Sequence, residues 1–262
     1  MESKLIYPLR FLPSGHVFMA PFDNCTAAAL ALEETDYQED FCLAIDFDPF
    51  FIARLMAAGF LVMADILEFD SDDELENDEP DNAEPAQDVL AHTKKASQYI
   101  LLPKHHLIRS CLFFPQLHIK KSIRKLLPLY DIHFDRDFDL IVDKCVETHG
   151  DGWLKKPFLD ALKEIRAEKD MPAKPVSFAL YREDKLVAGE FGIISGRVYT
   201  SYSGYYEENN AGTVQMILTA KYLEKNSFDF WDLGMPLDYK LTIGAREISR
   251  GEFIKLFLNS ML

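Results

Sequence analysis

From Val176 to Tyr206 the chain alternates or runs apolar in three segments, VSFALY, LVAGEFGII and VYTSYSGYY. Turn formers separate them at Arg182-Glu183-Asp184-Lys185 and at Ser195-Gly196-Arg197. This pattern predicts a three-stranded antiparallel meander. Helical spacing takes over on both sides. FDLIVDKCVETHG, with Asp135 as its cap, and FLDALKEIRAEK, from about Pro157, precede the meander. AGTVQMILTAKYLEKN, capped by Asn209 or Asn210, follows it. Then come a strand, FDFWDL, a loop with Gly234 and Pro236, and a last helix, GEFIKLFLNS.

Upstream the elements are shorter. FCLAIDF reads as a strand, and Asp48-Pro49 opens a helix that Gly59 can end. YILL and CLFF are strand-like on either side of KHHLIRS. HIKKSIRKLLPLY reads as a helix stopped by Pro128, and IHF as a short strand. There is no internal repeat.

Composition changes this picture in one place. The 262 residues are 48% hydrophobic, enough for one large or two small cores. The formal charge is −15, but 12 acidic residues and no Lys or Arg lie between Asp65 and Asp88. The rest is only mildly acidic and can carry a basic face. The acidic stretch itself has too few apolar groups to offset chain entropy, and reads as a disordered insertion. The expected division is a small N-terminal α+β domain (1–64), the insertion (65–90) and a larger domain that carries the meander (91–262). Cysteines at 25, 42, 111 and 145 have no metal or redox spacing and read as free thiols in a reducing compartment. MESKLIYPLRF lacks a secretory core, and the greasiest stretch, Leu55 to Met63, is too short to span a bilayer. A cytoplasmic protein is expected, with no membrane partner, no metal and no cofactor.

Helix, helix, three antiparallel strands, helix, strand, helix is an order compatible with the GNAT acyltransferase sheet, mixed but mostly antiparallel. Individual motifs add to this. Leu117-His118-Ile119 with Lys121-Ser122-Ile123-Arg124, Gly152-Trp153-Leu154, Glu183 through Gly189, Asn210-Ala211, Asp232, and Gly244-Ala245-Arg246-Glu247-Ile248 with Arg250 occur in that order. They resemble the "LH-S-S-R", "GTWI", "-DELVGG", "NAS", "-IDCQ" and "LGAREIPRREF" segments of the leucyl/phenylalanyl-tRNA–protein transferases. The N-terminal part matches loosely, keeping Ile45-Asp46-Phe47-Asp48-Pro49, Ala58-Gly59-Phe60 and Arg109. Two departures touch chemistry: the family's Gln is Gly234 and its Glu is Tyr202. Tyr239 stands where the family has His, and Leu237 where it has a polar residue.

The resemblance implies transfer of a hydrophobic amino acid, of Leu or Phe type, from charged tRNA to a protein N-terminus. The protein is expected to act as a monomer on the 3′ aminoacyl-adenosine end of the tRNA. Asp232, at a strand end, could accept a proton, orient a neighbour or cap the following turn. Tyr202 or Tyr239 could donate a hydrogen bond instead. Trp153 could stack on the terminal adenine or pack in a core. Ser203, Tyr205, Asn210 and Tyr239 complete the expected substrate side, and Phe178, Phe191, Tyr199 and Tyr205 could line an apolar amino-acid pocket. Lys120, Lys121, Arg124 and Lys125, with Lys155 and Lys156, are candidates for the tRNA backbone. Asp232 and Trp153 are expected to face each other across one crevice. Two alternatives stay open: a non-catalytic or differently specific relative that binds tRNA or peptide N-termini, and an acetyl-CoA-dependent N-acetyltransferase. Against the latter, Glu207-Glu208-Asn209-Asn210-Ala211-Gly212 has a single Gly and two acids where a pyrophosphate loop would lie.

Overall fold

A computed structural model describes residues 7–69 and 96–262. Most of the expected insertion lies outside these residues. Its first part does not: Leu61–Phe69 form strand β1, which pairs antiparallel with β2, Ala96–Lys104, from Leu61↔Lys104 to Phe69↔Ala96. The boundary expected at residue 64 therefore falls inside a strand. Two helices precede this ribbon. The first, α1 (Cys25–Glu34), starts where Asn24 accepts from Ala27 N–H at 3.0 Å. The second, α2 (Pro49–Ala57), starts where Asp48 accepts from Phe51 N–H at 2.7 Å, with Pro at the first turn. Such a cap is worth roughly 1 kcal/mol. FCLAIDF makes only isolated bridges, Phe41 to Lys104 and Ala44 to Leu101.

The main sheet is mixed and mostly antiparallel. Its strands in chain order are β3 (Ile108–Leu112), β4 (Asp131–Phe134), β5 (Lys174–Arg182), β6 (Lys185–Ser195), β7 (Val198–Tyr206), β8 (Phe230–Asp232) and β9 (Arg246–Ser249). In space they run β4-β5-β6-β7-β8-β3-β9, and only β7 and β8 pair in parallel. The β5–β6 turn carries Glu183 and Asp184 at positive φ (49° and 62°), as a two-residue primed turn requires.

The helices α3 (Lys121–Arg124), α4 (Phe138–His149), α5 (Lys156–Ala167), α6 (Ala211–Lys225), α7 (Asp238–Thr242) and α8 (Arg250–Asn259) complete the fold. The α4 and α5 helices cover one face of the sheet and share a continuous core with α1, α2 and β1, including Phe51, Leu55, Ile141, Leu162 and Phe191. On the other face α6 packs over Phe178, Tyr199 and Trp231, and over Ile123 of α3.

Two expectations shift here. The basic segment makes one turn of α-helix, then a 3-10 turn at Leu127–Leu129, because Pro128 has no N–H to continue the ladder. The helix expected from Asp135 starts at Phe138, since Asp135 and Asp137 both adopt left-handed φ (57°). Their carboxylates serve tertiary partners instead, Arg166 for Asp135 and the Tyr181 hydroxyl for Asp137.

The Gly-Ala-Arg-Glu-Ile-Ser-Arg block is framework. Gly244 sits at φ +98°, and a Cβ there would lie 2.0 Å from the Gln116 carbonyl oxygen. Arg246 to Ser249 form β9 against β3. Buried Arg250 donates to the carbonyls of Tyr37, Glu39 and His105, tying α8 to the N-terminal segment.

Candidate active site

Parallel strands β7 and β8 part company early. They pair only over Val198–Thr200 with Phe230–Asp232. Beyond Thr200, β7 continues to Tyr206 alongside β6 alone, while the chain after Asp232 turns away into the loop toward α7. The carboxyl ends of diverging parallel strands are a favoured place for a ligand. Along this free edge the β6–β7 register slips between Phe191 and Gly192, so Tyr202 is the extra, bulged residue. A bulge re-aims a side chain. The Tyr202 ring lies 6.1 Å from Trp153, 6.3 Å from Phe158 and 6.0 Å from Phe191, and its hydroxyl accepts from Val62 N–H at 2.9 Å. Burial pushes its pKa well up, so the hydroxyl keeps its proton.

Asp232 closes β8 and is wholly enclosed. Arg109 donates to both of its oxygens, from Nε at 2.9 Å and Nη2 at 2.8 Å. Thr200 Oγ1 at 3.0 Å and Gly234 N–H at 2.9 Å supply two further bonds. Burial works to raise its pKa, but the charge and hydrogen bonds of Arg109 outweigh it and hold the carboxyl below the ordinary range. A carboxylate with four donors and a depressed pKa is a poor proton acceptor. Of the readings open from sequence, Asp232 orients its neighbours and caps the turn at Gly234. The expected crevice shared by Asp232 and Trp153 is corrected accordingly. Tyr202, not Asp232, meets the indole, and it also feels the charges of Arg109 and Asp232.

Gly234 lies at φ +75°. Its N–H is spent on Asp232 and its carbonyl accepts from Ser110 N–H at 2.7 Å. A glutamine at this position would be strained, so its absence is built into the backbone.

The other candidates divide between the two sheet faces. Trp153 is half-buried in the α4–α5 connector, and its carbonyl accepts from Ala64 N–H at 3.1 Å. Ser203 is half-buried beside Cys145. Tyr205 is buried on the α4 side with Lys144 Nζ 5.5 Å from its ring centroid. Tyr239 is 53% exposed on α7. Phe191 and Tyr205 belong to the α4–α5 core, Phe178 and Tyr199 to the α6 core, so these four line no single pocket. Alternation separates Phe178 from Phe191, which stands opposite Ser177, and the bulge at Tyr202 separates Tyr199 from Tyr205.

The basic residues divide in the same way. Lys120, Lys121, Arg124 and Lys125 are exposed on the α6 face, and no ion pair is recorded for them among the described residues. Lys155 and Lys156 lie at the start of α5 on the other face, paired to Asp151 at 3.6 Å and Asp160 at 2.5 Å. They form no continuous patch with the first four. Lys120 and Asn210 do come together, lining a cavity of about 240 Å³ with His118, Thr213 and Thr242. Glu207 and Glu208 are held by Lys144, Lys185 and Arg182.

Sequence reasoning gave Arg109 no role beyond a loose match. The signal was there: one arginine inside an apolar strand, LIRSCLFF, must find a buried anion. Lys240 was missed as well. It is 5% exposed and donates to the carbonyls of Leu233 at 2.5 Å and Met235 at 2.7 Å, so it pins the loop that follows Asp232. Burial brings its pKa down to about 8.

Residues 111–258 match the model of the family described as leucyl/phenylalanyl-tRNA protein transferase. The chain belongs to this family. A leucyl/phenylalanyl-tRNA–protein transferase of Pseudomonas putida is 31% identical over 150 residues, which is 55% of this chain and 65% of that protein. One from Flavobacterium johnsoniae is 29% identical over 154 residues, 56% of this chain and 71% of its own length. Among solved structures, a conserved protein of unknown function from Bacteroides thetaiotaomicron is 12% identical, covering 88% of this chain and 77% of that one. Its TM-score of 0.39 is too slight a likeness to bear on fold or function. The family match takes in the whole seven-stranded sheet except the start of β3, and so includes the free edge of β7, Asp232 and Gly234. Most of the N-terminal segment lies outside it. Among the described residues no helix is long and apolar enough to cross a membrane.

Proposed function

We propose that this chain is an aminoacyl-tRNA–protein transferase. The acceptor's terminal amine attacks the ester carbonyl of a charged tRNA, an amide bond forms, the ester C–O bond breaks, and the amine's proton goes to the departing ribose oxygen. The observation that carries this reading is the family match across the diverging strands. The ester is already activated, so holding amine and carbonyl together supplies much of the rate. Trp153 is the stacking surface for the terminal adenine. The Tyr202 hydroxyl, held protonated by burial, donates to the developing oxyanion. Ser203 and Tyr239 border the aminoacyl group, and Tyr205 supports that wall from the α4–α5 core. The exposed set Lys120, Lys121, Arg124 and Lys125 meets tRNA phosphates, with Asn210 beside them. We read the fold as GNAT-like, since β7 and β8 run parallel, are joined through α6 and splay beyond Thr200. The protein works as a cytoplasmic monomer without cofactor, and the N-terminal segment is a supporting unit.

The test is transfer of labelled Leu, Phe, Met, Arg and Lys from charged tRNA to peptides that begin with Arg or Lys. A lengthened peptide is expected, falling roughly five- to 150-fold for Trp153→Ala, as loss of a stacking contact of about 1–3 kcal/mol requires. Gly234 and Tyr202 favour a second reading, a relative that binds charged tRNA without transfer. Salt-sensitive tRNA binding with no product from any of the five would select it. Coenzyme A use is disfavoured: the loop before α6, residues 207–210, holds two acids and no Gly, since Gly212 lies inside the helix, and Asn210 is left-handed at φ 69°.

A further inference from the structure

A second buried polar group lies on the α6 face, away from Asp232. Glu190, in the middle of β6, is 6% exposed. Its Oε2 accepts from Ser201 Oγ at 3.2 Å, and Ser201 Oγ in turn accepts from Trp231 Nε1 at 2.7 Å. Gln215 of α6 and Tyr199 of β7 also bear on the carboxylate, and both are buried. Even so, Glu190 Oε1 and the Tyr199 hydroxyl have no partner in hydrogen-bond geometry. Lys240 is the cation whose charge reaches Glu190, but its ammonium is spent on two backbone carbonyls. A buried carboxylate with a free oxygen and no counter-ion is costly, and such a group calls for an explanation.

The surroundings suggest what completes it. Glu190 pairs across the ladder with Gly204, which is exposed and has no side chain. A Cβ at 204 would lie 3.1 Å from that of Glu190, tighter than an ordinary contact, so β7 comes too close there to place a side chain over Glu190 without a shift. Gly204 belongs to the free edge of β7, where the strands diverge. Half-exposed Tyr239 stands near enough to feel the charge of Glu190. The unpartnered oxygen is buried, but it sits one ladder position from the free edge of β7, and what it lacks is a cationic donor.

We propose that Glu190 is a specificity-determining residue that receives the ammonium or guanidinium of a basic side chain on the transferred amino acid. Ser201 holds its other oxygen, and buried Tyr199 and Gln215 stand beside it. The inference rests on the transferase reading, and it replaces the leucyl and phenylalanyl groups for which the relatives are named with a lysyl or arginyl group. A charge-assisted pair in a desolvated site is strong, and losing it leaves a buried charge unpaired.

The test is calorimetric binding of 3′-aminoacylamido-adenosines carrying lysine, arginine, norleucine or phenylalanine. Wild type, Glu190→Gln and Glu190→Met are compared, with circular dichroism checking that each variant folds. Wild type is expected to bind the lysyl or arginyl compound roughly tenfold or more tightly than the norleucyl one. Glu190→Gln should lose that preference and Glu190→Met reverse it. Equal or tighter binding of norleucine by wild type overturns the inference, as does a preference that survives in Glu190→Gln, or no binding of any compound. The transferase reading is judged separately in the same preparation, by transfer from charged tRNA. Cationic preference without transfer sinks that reading and leaves Glu190 as a recognition group.

Discussion

Replacing Asp232 by alanine should unfold this protein more readily, not merely slow it. The carboxylate neutralises Arg109, itself 1% exposed, through two bonds of 2.9 and 2.8 Å. Without it, the guanidinium keeps one long bond to the Gly59 carbonyl at 3.2 Å and the face of Phe253 at 4.4 Å. Breaking one side of a buried pair costs about 3–5 kcal/mol, because the surviving charge stays desolvated. Thr200 and Gly234 would lose an acceptor as well. Removing both charges relieves the larger part of the cost. Asp232→Ala and Arg109→Met should therefore each lose about 3–5 kcal/mol in urea denaturation, and the double variant clearly less than their sum. The coupling in the cycle should exceed about 2 kcal/mol. An Asp232→Ala protein with an unchanged urea midpoint, or losses that simply add, would refute the argument that this carboxylate is a structural anion.

Other outcomes follow from the same structure. Burial raises the Glu190 carboxyl to about 7, so its folded pKa lies above its ordinary value of 4.5. Stability linked to this group is full below that ordinary value and falls as pH rises toward 7, by about 3 kcal/mol in all. Glu190→Gln should lack this slope between pH 5 and 7, a unit below the Lys240 value of about 8, and a urea series at several pH values measures it. Gly244→Ala should cost at least about 2 kcal/mol, from left-handed strain and the Gln116 carbonyl, and thermal melts would show it. Replacing Lys120, Lys121, Arg124 and Lys125 by alanine should weaken tRNA binding and reduce its salt slope by up to about 3. The same change at Lys155 and Lys156 should do little, since each already has an acidic neighbour.

The sequence disclosed local features better than remote ones. Asp48-Pro49 announced α2, and the turns at 182–185 and 195–197 framed the meander, because caps and turns depend on adjacent residues. The Ala-rich α1 went unread, although Asn24 is an ordinary cap. The basic segment looked helical by spacing, yet Pro128 cut it to one turn. At the site, Asp232 stood out as a carboxylate ending a strand. Its role did not, because Arg109 lies 123 residues earlier and no local pattern joins them. Glu190 was hidden in LVAGEFGII for a similar reason: a strand buried on both faces has no polar side, so a single acid carries no periodic signal.

Arg250 gathers carbonyls from residues 37, 39 and 105, two widely separated parts of the chain. During synthesis those oxygens leave the ribosome long before the guanidinium that satisfies them. The early segment must wait, with part of its backbone still hydrated, until about two hundred further residues have been made. Assembly of this molecule is therefore completed from its far end, and a nascent chain stalled before position 250 would offer proteases a loosely fastened N-terminal third.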